Sequence, residues 1–265
     1  MKLRYLGFIA CLALSLAPLT LRAASAEAIT NISQSLSLDE SNILSVTEVI
    51  DYDFGTTPPH NLLYRIPISY HDDQGREFKM SFNLTSAKLN DAPITIIPEI
   101  TTAQAALTLP ANNSPSTLRR YVLQYTIGPV AIQGETRELL KLTVTGLGWD
   151  VPINHATVRL DTHTAAADNL TCYTGASGST TSACVVKQAG NVATIETSSA
   201  LAPGEALSIF ADFPAGTFKN HLEADDTTSP WFWPIVVGVG LLGFIGLVVL
   251  PVKLLGRRRR RSAGE

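Results

Sequence analysis

Apolar side chains recur at every second position through much of the middle of this chain, a period that fits strands and not helices. In 44–54, Leu44, Val46, Ile50, Tyr52 and Phe54 share one face, with Ser45, Thr47, Asp51 and Asp53 on the other. In 62–70, Leu62, Tyr64, Ile66, Ile68 and Tyr70 align. Phe78, Met80, Phe82 and Leu84 alternate with Lys79, Ser81 and Asn83. Tyr121, Leu123, Tyr125 and Ile127 align in 121–127, and Leu140, Leu142 and Val144 alternate with Lys141 and Thr143 in 138–144. Shorter candidates are 94–97, 156–160, 192–196 and 206–211. Each pattern sets one apolar row against a core and leaves one row in solvent. Turn-forming clusters such as Asp72-Asp73-Gln74-Gly75 and Pro110-Ala111-Asn112-Asn113 separate the segments. This arrangement predicts an all-β, antiparallel β-sandwich, either one large or two small. No long helical pattern interrupts, which argues against a parallel α/β sheet. Pro67, inside a strand pattern, predicts an edge strand or a bulge. If there are two sandwiches, the polar, Ala- and Thr-rich stretch Asp161–Asp168 is the candidate boundary.

The two ends of the chain have a different character. Lys2 and Arg4 precede an apolar stretch from Tyr5 to Leu21, and Ala24-Ser25-Ala26 supplies the small-x-small pattern of a signal-peptidase site. Residues 1–26 are therefore expected to be an export signal cleaved near Ala26. Cys11 lies inside the apolar stretch, with Phe8 three residues upstream, which argues against a lipoprotein signal. Trp231 to Val252 is an uncharged run of 22 residues. As a helix it would extend about 33 Å, enough to cross a hydrocarbon core of about 30 Å. Trp231 and Trp233 stand at one end, suited to the headgroup region; Lys253 and Arg257, Arg258, Arg259, Arg260 and Arg261 stand at the other. A single transmembrane helix over 231–255 with a basic cytoplasmic tail at 256–265 follows, placing the preceding domain outside. Beside a spanning helix, the arginines read as a stop-transfer and lipid-contacting cluster, not a nucleic-acid site. Gly240, Gly243 and Gly246 are spaced by three, so they form no small-xxx-small pairing motif.

The whole-chain charge of −3 averages opposite regions. Residues 27–230 hold eleven Lys and Arg against twenty-two Asp and Glu, a net charge of −11. Such a domain repels nucleic acid and anionic headgroups and favours cations or basic partners. With Cys11 in the signal, Cys172 and Cys184 remain as an even pair in an oxidising setting, bracketing a turn-rich segment. A disulfide between them is expected. The expected extracytoplasmic β domain covers 27–218, and residues 219–230, with Glu223, Asp225 and Asp226, read as a polar stalk.

Several short elements carry a family likeness: Tyr64-Arg65-Ile66-Pro67, the tyrosine-containing strand at 121–127, Gly148-Trp149-Asp150-Val151-Pro152-Ile153, and above all Cys172-Tyr173-Thr174-Gly175 with Gly178-Ser179 before Cys184. Over roughly residues 30–216 the chain resembles the N-terminal part of the bacterial membrane-protein family catalogued as domain of unknown function 2207. The resemblance implies a bacterial cell-envelope setting. That family has no established catalytic residues, so the resemblance carries none to this chain.

Signatures of chemistry are sparse. The sequence holds no His-Glu-x-x-His, no phosphate-cradling glycine loop with lysine, and no Gly-x-Ser-x-Gly elbow. His60, His71, His155, His163 and His221 are scattered, which gives no metal-ligand spacing. Asp51 and Asp53 share a strand face and are the candidate pair for acid–base work, against the plainer reading of a solvated face. Asp72 and Asp73 are candidate Ca²⁺ ligands without EF-hand spacing. No cofactor is expected. The sequence reads best as a membrane-held binding or structural module of the cell envelope. Its expected partners are the bilayer, through one helix, and a protein or other envelope component. An envelope hydrolase using acidic residues and an accessory subunit of a membrane complex are the alternatives.

Overall fold

In a computed structural model the described residues are 26–71 and 75–224. The expected signal peptide apart from Ala26, the Asp72–Asp73 pair, the apolar run with Trp231 and Trp233, and Arg257–Arg261 lie outside them.

Among the described residues every regular element is a strand. In chain order these begin with β1 (Ala28–Leu38), β2 (Leu44–Asp53), β3 (Leu62–Pro67), β4 (Ser69–His71), β5 (Glu77–Lys79) and β6 (Ser81–Leu89). There follow β7 (Ala92–Pro93), β8 (Glu99–Ile100), β9 (Gln104–Leu109), β10 (Leu118–Gly128), β11 (Ala131–Gln133) and β12 (Arg137–Thr143). The last are β13 (Ala156–Thr162), β14 (Asp168–Gly175), β15 (Cys184–Ala189), β16 (Val192–Thr197) and β17 (Ala206–Pro214). They build an eight-stranded sheet, β15-β16-β13-β1-β2-β10-β6-β7, and a four-stranded sheet, β11-β12-β17-β14. A three-stranded sheet, β3-β9-β8, and the β4-β5 hairpin complete the fold.

The period-two rows are the reason. Along β2 and β10 buried and exposed positions alternate, so each strand gives one row to the interior. Buried residues of the eight-stranded sheet, such as Ile32, Ile50 and Tyr121, join Tyr64, Leu107, Leu140 and Ile209 of the smaller sheets in one connected apolar cluster. At about 2–5 kcal/mol per large side chain truncated to alanine, these rows dominate the stability. Pro67 ends β3, which is an edge strand of its sheet, so the missing N–H costs no ladder bond.

Among the described strand pairs the expected antiparallel pairing holds except that β1 runs parallel to β13, with Ile32 opposite Ala156 and Leu38 opposite Thr162. β1 is central to the large sheet, yet its sequence hides it. A bulge between Ile29 and Asn31 breaks the alternation, and Gln34 occupies the buried row. The 94–97 segment, expected as a strand, is irregular; Pro93 and Pro98 flank it, and Ile97 is 83% exposed. Asp161–Asp168 connects β13 of the large sheet to β14 of the four-stranded sheet.

Residues 219–224, expected to begin a stalk, belong to the fold instead. Leu222 is buried and bridges Ile132, and Ala224 bridges Phe78.

Candidate functional site: a groove on the four-stranded sheet

The outer face of the four-stranded sheet is built by the same alternation that fills the core. In β17, Leu207, Ile209, Ala211 and Phe213 point inward, which sends Ser208 and Phe210 outward. β12 contributes Lys141 and Thr143 to that outer face, and β14 contributes Tyr173. Tyr173 and Phe210 meet edge to face with ring centroids 5.3 Å apart. Lys141 Nζ lies 5.4 Å from the centre of the Phe210 ring, a cation–π distance. Thr143 Oγ1 and Ser208 Oγ are 3.3 Å apart.

One wall is the segment from Pro67 to His71. Ile68 N donates to Ala103 O at 2.9 Å, and Met80 N donates to Ile68 O at 2.7 Å, which fixes its course. The other wall is the loop between the two cysteines. Cys172 and Cys184 are bonded, with Cα atoms 6.2 Å apart. Thr174 N donates to Thr181 O at 2.7 Å, and Ala183 N donates to Thr174 Oγ1 at 3.1 Å. Ser179 Oγ donates back to Thr174 O at 2.9 Å. Gly175 has φ of +122°, and a Cβ there would lie 2.7 Å from Ser179 Oγ. Within the Cys-Tyr-Thr-Gly element, Cys172 thus closes the loop, Tyr173 lines the groove, Thr174 caps the loop and Gly175 makes the turn.

Between these walls lies a cavity of about 630 Å³. It continues into a second of about 250 Å³ through the shared Tyr70, His71, Lys141 and Phe210, and reaches Ile132 and Leu139. The groove follows β17 from Ala206 to Asp212, about 20 Å at the rise of a strand. The larger volume is within the range of a ligand site. Its aromatic rings, one ammonium and several hydroxyls suit binding; among the described residues no nucleophile stands hydrogen-bonded to a base there.

The other titratable residues are placed elsewhere. Asp51 is held by Arg120, with Nε 2.6 Å from Oδ1 and an Nη 2.9 Å from Oδ2, and that carboxylate raises the Arg120 pKa. Asp53 Oδ1 accepts from Gly55 N at 2.9 Å. Both acids are therefore engaged in pairing and turn formation. The histidines stay apart: His60 faces Glu27, His155 faces Glu196, His163 faces Asp161 and His221 faces Glu138. Among the described residues no three His, Cys, Asp or Glu side chains group as metal ligands. Ala26 is exposed at the start of the described chain. Among these residues no helix is long and apolar enough to cross a membrane.

A buried polar cluster escaped the sequence. Glu48, fully buried, accepts Tyr64 Oη on both carboxylate oxygens at 2.9 Å, Tyr125 Oη at 3.1 Å and Gln34 Nε2 at 2.8 Å. Gln34 Nε2 also donates to Val144 O. Burial pushes the Glu48 carboxyl up to about 7 against these donors, and burial beside Glu48 pushes the Tyr64 and Tyr125 hydroxyls well above their usual range. The signal for Glu48 was its parity: it sits on the apolar row between Val46 and Ile50.

Taken together, fold and groove define an all-β domain with a walled cleft and with no assembled catalytic set among the described residues. Residues 28–213 match the family model described as "Predicted membrane protein (DUF2207) N-terminal domain", and the chain belongs to that family. No curated protein matches. Solved structures with some likeness include native leukotriene A4 hydrolase from Saccharomyces cerevisiae, at 9% identity and a TM-score of 0.42, covering 70% of this chain and 29% of that one. An M1 zinc metallopeptidase from Deinococcus radiodurans aligns at 11% identity and a TM-score of 0.38, covering 69% of this chain and 42% of that one. The chain therefore spans less than half the length of either, and neither likeness assigns chemistry to it.

Proposed function

We propose that this protein is a membrane-anchored, extracytoplasmic module that works by binding another component of the bacterial envelope in the groove of the four-stranded sheet. The observation that carries the reading is the groove itself: outward Tyr173, Phe210, Lys141 and Ser208 on a rigid sheet, between a hairpin wall and a disulfide-closed wall. Sites on a rigid scaffold with loops at one side are a common plan for β-rich binding modules. The membrane family and the 22-residue apolar run support anchoring by one helix, with the β domain outside and the arginines in the cytoplasm.

The test is to alter the groove without altering the core. Lys141→Glu and Ser208→Arg reverse charge and fill space on the outer face. They are expected to reproduce the phenotype of deleting the whole β domain while surface level and melting temperature hold. Asp51→Asn with Asp53→Asn is expected to leave function intact. Loss of function in the aspartate pair with a neutral result in the groove would replace this reading with the acidic hydrolase.

A further inference from the structure

Between Pro214 and Ala224 the chain stays against the domain. Glu138, with no exposed surface, captures it: Oε1 accepts Gly216 N at 2.9 Å and faces His221 Nε2 at 2.8 Å, while Oε2 accepts Phe218 N at 3.0 Å. Asn42, equally buried, donates through Nδ2 to Asn220 O at 2.9 Å and to Ala131 O at 2.8 Å. Lys219 N donates to Glu40 O and Leu222 N to Ala131 O, at 2.8 and 3.1 Å. Phe218, 3% exposed, packs edge to face on Phe213 at 5.1 Å. Two buried polar side chains and two buried apolar ones make this segment a fixed part of the domain, since unpairing any of those backbone groups is costly.

All of these contacts lie at one end. Leu44 opens β2 there, beside Asn42 and opposite Ile127, and Asp53 closes β2 at the other end, opposite Leu118. Ten residues of strand separate the two ends by about 31 Å. Ala224, the last described residue, bridges Phe78, three residues before Ser81, which lies opposite Gly128 at the same end. Only residues 225–230 then remain before Trp231 and the apolar run. Their greatest reach is about 25 Å at full extension.

We infer that the end of the domain bearing Glu138, Asn42 and the β4–β5 hairpin is its membrane-facing surface, held close over the phospholipid headgroups, with the Asp53–Leu118 end pointing away. The inference rests on the reading that residues 231–252 span the bilayer. It has a consequence for the groove. The Ile132 end of the groove adjoins Leu222, so the groove opens at the bilayer surface and its occupant is presented there.

The experiment uses the chain from Glu27 onward, without the expected export signal and its Cys11, reconstituted into phosphatidylcholine liposomes that contain a headgroup-labelled acceptor lipid. A donor dye is placed on Thr136→Cys, in the β11–β12 turn beside Glu138, or on Thr117→Cys, beside Leu118; both positions are exposed. Cys172 and Cys184, bonded to each other, do not take the dye. Energy transfer to the lipid is expected to be several-fold stronger from position 136 than from 117. Inserting a ten-residue Gly-Ser segment after Ala224 should erase most of that difference. Equal transfer from both positions, or stronger transfer from 117, in chains that float with the liposomes would overturn the orientation and leave anchoring standing. Chains that do not float would overturn the anchoring reading, and this inference with it.

Discussion

Tyr64 Oη donates to both carboxylate oxygens of Glu48, 2.9 Å from each, in the middle of the core. Burial raises the Glu48 carboxyl from its ordinary range to about 7, so the fold prefers it protonated. The stabilising difference is fully present below the unfolded value near 4.5 and is lost as pH rises through about 7. It amounts to about 3 kcal/mol at roughly 1.4 kcal/mol per unit. Denaturant unfolding should show stability falling between pH 5 and pH 8. Glu48→Gln should flatten that slope and be the more stable protein at pH 8. A wild-type profile that rises across this window would contradict the assignment.

Closing the Cys172–Cys184 loop is expected to contribute about 3 kcal/mol. Cys172→Ser should lower stability by about that much, and peptide mapping without reductant should recover the two segments linked. Gly175→Ala, at a positive φ with no room for a Cβ, should cost about 1–3 kcal/mol and loosen the same wall.

Glu138→Ala leaves Gly216 N and Phe218 N without their acceptor, at about 1–3 kcal/mol each. Trypsin should then cleave after Lys219 in the folded variant, whereas the native chain resists there. Equal cleavage in both would mean that Glu138 does not hold the segment.

The strands were legible where alternation ran through most of a segment, as in 121–127 and, with Glu48 as the one polar residue of its apolar row, in 44–54. β1 was not, because the bulge at Ile29–Asn31 shifts its period and Gln34 takes a buried position. The Cys-Tyr-Thr-Gly element was visible as a motif. Its role as a groove wall was not, since the facing wall at Pro67–His71 comes from a hundred residues earlier and meets it only through the fold. The polar look of 219–230 concealed that Phe218 and Leu222 dock the first half of it, a case of two buried anchors outweighing a hydrophilic stretch. Glu48 was readable in principle: a lone carboxylate on an apolar row must be buried with donors, and Tyr64 and Tyr125 on neighbouring rows supply them.

The central claim, that the groove is the binding surface, is tested most directly by photo-cross-linking in intact cells. A benzophenone side chain replaces Lys141 or Ser208 in the groove, or Gln124 on the opposite, outward face of the eight-stranded sheet. Irradiation is predicted to give a discrete adduct from positions 141 and 208 and none from 124. An adduct from 124 with none from the groove positions would contradict the account.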